Sequence, residues 1–346
     1  MLTAARSSSL AAPRASPHPA AARRSRAPPR PAGALAERAP AAAAAADGGA
    51  ARRALDVGNV IALEHINLEV PDLEVARLFF GEGLGLTLDP DTTGPERGGL
   101  GVVWFNVGRQ QLHICQGPDA QGLPAGAAIG LTIPGVEALA ERMERVQALL
   151  GEVSVSHIAP GALEVRDPWG NAFVIREPPA GAPPHERLGI SQLLLPCLPG
   201  TARGIASFYE AVLGARAEAG EGRAEVVVGP GQALVFKESK ALGPASDEAV
   251  AALYSGCHAA VYIADFGGPY SRIESLGLVC NDHPFRDKCH SFGDAARNRQ
   301  FRFRDIVELE GAGDAAAKGR LLYRFDHEVR CLHHPRFMRP LYNRLA

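Results

Sequence analysis

Lysine is almost missing from this 346-residue chain, occurring only at Lys237, Lys240, Lys288 and Lys318. With a formal net charge of −2 and no basic stripe to neutralise phosphates, nucleic-acid binding is disfavoured. Long apolar runs are missing too. Ala41 to Ala46 is too short and too weakly apolar to cross a bilayer, so neither a membrane-spanning helix nor a membrane partner is expected. The six cysteines (Cys115, Cys197, Cys257, Cys280, Cys289, Cys331) contain no C-x-x-C pair, and no secretory apolar segment precedes them. That excludes a zinc knuckle and a disulfide framework, and makes reduced, mostly core-forming thiols the expectation. No Walker loop and no Ser/His/Asp elbow occur. Gly83, Gly85 and Gly108 sit after helices or in hairpins, where a positive φ is needed, and cradle no phosphate.

The first 53 residues lack aromatics altogether and hold only Glu37 and Asp47 as acids, against nine arginines. This is the composition of an organelle transit peptide. A segment with so few large apolar side chains cannot offset its chain entropy by burial, so disorder until removal is expected over 1–53. The serine and proline content favours a chloroplast address, with the mitochondrion as the alternative. Taking its charge of +7 (nine minus two) from −2 leaves about −9 on the remainder, an acidic mature protein.

What the chain does contain is a repeat. Ala76-Arg77-Leu78-Phe79-Phe80, ending at Gly85, is answered at an offset of 129 by Ile205-Ala206-Ser207-Phe208-Tyr209, ending at Gly214. Arg142, Met143, Glu144 and Val146 likewise fall on Arg272, Ile273, Glu274 and Leu276 at an offset of 130. An internal duplication is the direct reading.

Within each half the apolar periodicity switches between two and 3.6. Leu63 to Val70 alternates as a strand, and Asp72 stands as the N-cap of a helix bearing Val75, Leu78 and Phe79. Val102 to Val107 and Gln111 to Cys115 form a hairpin about Gly108-Arg109. The unit recurs as a strand at 129–133, a helix at 136–150 with Leu139, Met143 and Val146 on one face, and strands near 153, 163–166 and 172–175. The stretch 177–184, rich in proline and poor in donors, reads as a linker. The pattern restarts with strand 190–196, helix 202–213, hairpin strands 223–228 and 232–237, strand 258–264 and helix 268–276. Two segments of the second half have no counterpart in the first: the polar stretch 280–300 and the loop 311–319. The apolar residues of the tail 333–346 predict that it docks.

These strings, "LEHINLEVPDLEVARLFFGEGLGL", "VWFNVGRQQLHICQ" and "LEVRDPWGNAFVIRE", resemble the vicinal oxygen chelate superfamily of glyoxalases, bleomycin-resistance proteins and extradiol dioxygenases. The turn Asp167-Pro168-x-Gly170-Asn171 is its most specific piece. The resemblance implies an α+β protein of paired βαβββ modules forming open, cup-shaped mixed or antiparallel sheets. Two tandem domains, 60–178 and 188–332, would flank a linker at 179–187 and be followed by the tail. It further implies a small-molecule substrate or ligand, a homodimer, and a divalent cation such as iron, zinc, nickel or manganese.

Carried over position by position, the first-strand ligand falls on His65, and the last strand of the first module offers His113. The two remaining positions of that half fall on Ala128 and Val174, which bind nothing. In the second half Gln192 takes the first-strand position, His258 stands where Ala128 stood, and Leu234 replaces His113. The final carboxylate position is Tyr323 by counting, and Asp326 or Glu328 by strand shape, since a slip of one residue reverses the face. The expected metal ligands are therefore His65, His113, Gln192, His258 and Glu328, with Asp326 and Glu328 as candidate catalytic acids or bases. His258 with one of these acids suits metal binding or proton transfer, and equally a satisfied ion pair. Trp104 and Trp169 would stack on a planar ligand or pack the core. Arg324 and its neighbours His327, Arg330, His333, His334 and Arg336 would hold an anionic substrate group, or form a solvated edge neutralised by Asp326 and Glu328. The implied activity is that of a metal-dependent lyase, isomerase or dioxygenase on a small oxygenated molecule. The rival is a metal-free binding protein of the resistance type.

Overall fold

The computed structural model describes residues 56–90, 101–118, 120, 122–283, 285–311 and 317–345. The transit-peptide expectation for 1–53 lies outside the described residues.

The first module comprises strand β1 (Val60–Val70), helix α1, and strands β2 (Thr87–Leu88), β3 (Val102–Val107) and β4 (Gln110–Gln116). In α1 the Asp72 carboxylate accepts from the amides of Glu74 and Val75, capping the α-helical turn Leu73–Ala76. The helix then widens over Arg77–Gly83, where the amide of Leu84 reaches back five residues to the carbonyl of Phe79. The second module has β5 (Ala128–Thr132), α2 (Val136–Leu150), β6 (Ser154–Ala159), β7 (Ala162–Arg166) and β8 (Ala172–Arg176). Leu139, Met143 and Val146 of α2 are buried, as their spacing predicts.

The third module contains β9 (Gly189–Cys197), α3, β10 (Ala217–Gly220), β11 (Arg223–Gly229) and β12 (Gln232–Glu238). Its helix α3 widens over Tyr209–Leu213 after Ala202–Phe208, repeating the irregularity of α1 at the duplicated position. A short helix α4 (Asp247–Leu253) leads into the fourth module: β13 (His258–Ile263), α5 (Gly267–Ser275), α6 (Phe292–Asn298), β14 (Gln300–Glu310) and β15 (Ala317–Cys331). The insertion predicted at 280–300 is irregular over 281–283 and 285–290 and then supplies α6.

The fold is α+β, and the described residues form two mixed sheets, of seven and eight strands. The two modules of one half do not share a sheet. The seven-stranded sheet has the order β14-β15-β13-β1-β4-β3-β2, joining the fourth module to the first, and the eight-stranded sheet joins the third to the second. Each sheet therefore draws on both halves of the chain: β1 pairs antiparallel with β13, and β5 with β9. The linker ends in the segment that starts β9, and Leu188 packs tightly against the β3–β4 turn. A Cβ on Gly108, whose φ is 66°, would come within 1.9 Å of the Leu188 carbonyl oxygen.

The Asp167 turn is structural. Its carboxylate accepts from the amides of Trp169 and Asn171 and from the Asn171 side chain, while Gly170 takes a φ of 88°. All six cysteines are free. Among the described residues, no helix is long and apolar enough to cross a membrane.

Candidate metal centre

In β1 the alternation sends Ile66, Leu68 and Val70 into the core and leaves His65 and Asn67 on the opposite, polar face. A bulge adds a second polar group there. Leu63 is opposite Val261 and His65 is opposite Ala260, so Glu64 is one residue too many for β13. Bulges re-aim side chains, and the carboxylate of Glu64 turns to the ring of its own neighbour, with Nδ1 of His65 2.8 Å from Glu64 Oε2.

The polar face gathers three imidazoles. The Nε2 atoms of His65 and His258 are 3.1 Å apart, and a ligating atom from each of His65, His113 and His258 lies within 4.8 Å of the others. The Glu328 Oε2 is 3.9 Å from His258 Nε2. His65 and His258 are buried.

The carboxylates around the trio are fixed by guanidinium groups. Glu328 accepts from Arg302 Nη2 at 2.5 Å and from Arg330 Nε at 2.5 Å, and Arg330 also bonds Glu64. Glu64 further accepts from the Tyr262 hydroxyl at 3.0 Å. Burial alone would raise the Glu64 carboxyl, yet the His65 hydrogen bond and the Arg330 charge outweigh it and bring it down to about 2. The same contest holds Glu328 well below the usual range: burial opposes the charge, and Arg330 and Arg302 prevail. Burial holds all three imidazoles neutral, lowering His65 and depressing His113 and His258 further, with His65 adding to the effect at His258.

Because an ionised carboxylate can only accept, His65 carries its proton on Nδ1 and presents an Nε2 lone pair. At His113, Nε2 lies 3.3 Å from the Cys115 sulfur, which burial keeps a thiol by raising its pKa to about 11. The other ring nitrogen, Nδ1, is buried with no hydrogen-bond partner. A buried polar atom left without a partner in an otherwise satisfied network asks for a ligand.

The spacing of the His65 and His258 nitrogens fits a divalent cation. Two nitrogens sharing one ion at about 2.1 Å stand about 3.0 to 3.4 Å apart for bond angles between square and tetrahedral, which brackets the His65 to His258 separation. Both carry neutral imidazole, the form that ligates.

The sheet register resolves which positions correspond. His65 is level with Gln111 on β4 and with Ala260 on β13, and Gln192 is level with Ala233 on β12 and with Gly130 on β5. Counting outward, His65, His113, His258 and Glu328 of one sheet match Gln192, Val235, Ala128 and Val174 of the other. One face keeps every donor, and the other keeps only the amide of Gln192.

Several sequence expectations are corrected by this geometry. Gln192 stands on the eight-stranded sheet among Gly130, Ala233 and Leu194, away from the histidines. The counterpart of His113 is Val235, since Leu234 is on the core face. Asp326 is one register step from Glu328 and is taken up by Arg304 and the Tyr254 hydroxyl. Arg324 is paired with Asp305 along a separate small cavity of about 280 Å³. Trp104 offers no open face to a planar ligand: His113 stacks on it at 3.9 Å and 7°, and the Arg336 guanidinium lies 4.2 Å from its ring. His327 leaves the polar strip for the core, stacked on Phe303 at 4.0 Å and bonded to the Tyr209 hydroxyl at 2.6 Å. The sequence reading missed Glu64, Tyr262, Cys115 and Arg302. The adjacent polar pair Glu64-His65, which breaks the period-two alternation of β1, was the available signal for the bulge.

A cavity of about 790 Å³ adjoins this network. Its wall includes Glu64, Gln111 and Tyr262 on one side and the tail residues Arg336 to Leu341 on the other. That volume is in the range of small-molecule sites.

The family model of the Glyoxalase/Bleomycin resistance protein/Dioxygenase superfamily matches residues 62–175. The match spans the first two modules, about a third of the chain. Among solved structures it is similar to a putative dioxygenase from Bacillus subtilis, at 14% identity over 82% of this chain and 92% of that one, with a TM-score of 0.45. Glyoxalase I from Zea mays matches at 13% identity, covering 78% of this chain and 92% of that one, with a TM-score of 0.46. The fosfomycin resistance protein FosX from Mesorhizobium loti matches at 18% identity over 33% of this chain and 89% of that one, with a TM-score of 0.25. No curated protein matches the sequence.

Proposed function

We propose that His65, His113 and His258 hold one divalent cation and that the protein is a metal-dependent enzyme acting on a small molecule with adjacent oxygens. The observation that carries this reading is the convergence of three neutral imidazoles, one with an orphaned buried nitrogen, on one sheet face. An imidazole set suits iron, zinc or nickel better than manganese. A cation held there supplies Lewis acidity to two neighbouring substrate oxygens.

The chain's own groups set the rest. Glu64 fixes the His65 tautomer and is itself fixed by Tyr262 and Arg330. Glu328 is clamped between two guanidiniums, which hold it ionised and make it a weaker proton acceptor than an unpaired carboxylate. Its charge instead offsets the cations around the centre. The 790 Å³ cavity is walled by Glu64 and Tyr262, the groups that orient His65, and by none of the three imidazoles. Both sheets are completed within one chain, so a homodimer is not required to build the centre.

Metal titration of the ion-stripped full chain tests the reading: tight one-to-one binding of iron(II), zinc or nickel is expected, abolished by His258→Ala. A metal-free binding protein has one observation in its favour, that both nitrogens of His65 find partners within the protein. It predicts that a small ligand binds equally well to wild type and His258→Ala in the presence of a chelator. We further propose that the leader directs the chain to the chloroplast, on the strength of its arginine-rich, acid-poor composition. A fluorescent fusion of residues 1–53 that lights mitochondria would replace that address.

A further inference from the structure

The tail 333–346 has no equivalent after the second module, and the fold lays it beside the histidines. Two consecutive tail residues each make one contact in a short chain that ends on a candidate ligand. The Arg336 guanidinium sits 4.2 Å from the ring of Trp104, which stacks on His113 at 3.9 Å. Phe337 packs on Tyr262 at 4.9 Å, the Tyr262 hydroxyl donates to Glu64 at 3.0 Å, and Glu64 holds His65 Nδ1 at 2.8 Å.

The tail is tied down beyond these two residues. Arg339 pairs with Asp89, the Asn343 side chain bonds both the amide and the carbonyl of Gly108, and the Arg344 amide donates to Thr87 Oγ1 at 2.8 Å. Between the contacts and the ties, Met338 takes a φ of 54°. A side chain rarely accepts that conformation unless its neighbours impose it, and here Phe337 and Arg339 are both engaged.

We propose that the C-terminal tail is a strap belonging to the centre, in which Arg336 and Phe337 are positioning residues that fix the ring orientations of His113 and His65. The inference rests on the cluster being a cation site, and it makes retention of the cation depend on residues that touch no ligand atom. Arg336 clamps Trp104 by a cation–π contact, and Trp104 sets the plane of His113. Phe337 holds Tyr262 in reach of Glu64, which sets both tautomer and orientation of His65.

The experiment has two arms on the full chain. In the metal-free protein, imidazole ¹⁵N spectra are compared for wild type, Arg336→Ala, Arg336→Lys and Phe337→Ala, with His327 as an internal control. Arg336→Ala should move the His113 signals and Phe337→Ala those of His65, with His327 unmoved and Arg336→Lys close to wild type. In the second arm, cobalt(II) is loaded and its release to a chelator followed by its d–d absorption. Release should be at least about tenfold faster in the two alanine variants, as for loss of an outer-sphere partner.

Unmoved His65 and His113 signals, or release within twofold of wild type, overturn the strap. A shift at His327 equal to that at His113 overturns it as well, by marking a general loosening of the fold. If wild type binds no cobalt, the cation reading fails and the imidazole spectra alone decide whether the tail positions these rings.

Discussion

His65 and His258 are separated by 193 positions in sequence, and their Nε2 atoms stand 3.1 Å apart because β1 and β13 are antiparallel neighbours. That contact is possible only because the first module pairs with the fourth. It brings His65 and His113 of the first module onto one face with His258 and Glu328 of the fourth.

Replacing Glu64 by glutamine should damage stability more than its size suggests. The change leaves Arg330 with one carboxylate fewer in a buried site and replaces an acceptor-only group by an amide that can either donate or accept, so the His65 tautomer is no longer selected. Breaking a buried pair from one side costs about 3 to 5 kcal/mol, so denaturant titration should show a loss of that order. A loss under about 1 kcal/mol would mean the network is solvated and exchangeable.

Acid should destabilise the fold through His327. Burial among Phe303, Phe325 and Tyr209 brings its pKa down to about 3, against 6.5 for an unfolded chain. The unfolded state therefore binds the proton first. This contribution is complete above pH 6.5 and is lost as pH falls through 6.5 towards 3, amounting to about 2 kcal/mol by pH 5. His327→Gln, which keeps an acceptor for Tyr209, should lose stability at neutral pH yet show a shallower decline between pH 7 and pH 5. Parallel pH profiles for variant and wild type would contradict the assignment.

Gly108→Ala should loosen the junction of the two sheets. The new Cβ would meet the Leu188 carbonyl at 1.9 Å in a backbone with φ of 66°, and the same glycine receives the Asn343 side chain. A loss of about 2 to 4 kcal/mol is expected in thermal or denaturant unfolding, whereas Gly151→Ala, with open space around it, should cost only its φ strain of about 1 kcal/mol. Equal losses would show that backbone conformation alone matters at Gly108.

Much of the local structure was legible. The helix at 136–150, the hairpin about Gly108 and the cap at Asp72 all follow from short-range periodicity and capping chemistry, whereas the tail expected to dock through its apolar residues is held largely by polar contacts, with Met338 and Tyr342 exposed. The candidate ligands His65, His113, His258 and Glu328 were visible one at a time. Their assembly was not, because sheet order between distant modules leaves no local trace: β13 reads the same whether its neighbour is β1 or β5. The same ignorance of register made Leu234 stand in for Val235 and left Asp326 and Glu328 undivided. Once the pairing is known, the scattered losses fall into place. Ala128, Val174, Gln192 and Val235 all belong to the second and third modules, whose sheet offers only the Gln192 amide at the corresponding positions.

Metal stoichiometry of the purified full chain and two single variants bears most directly on the central claim, that the donors of the first and fourth modules form one cation site. Ion-stripped protein is reloaded with zinc or iron(II), dialysed and analysed by elemental spectrometry. The account predicts about one ion per chain for wild type and for Gln192→Ala, and less than about 0.1 for His258→Ala. An equal loss in Gln192→Ala, or no bound ion in wild type, would contradict it.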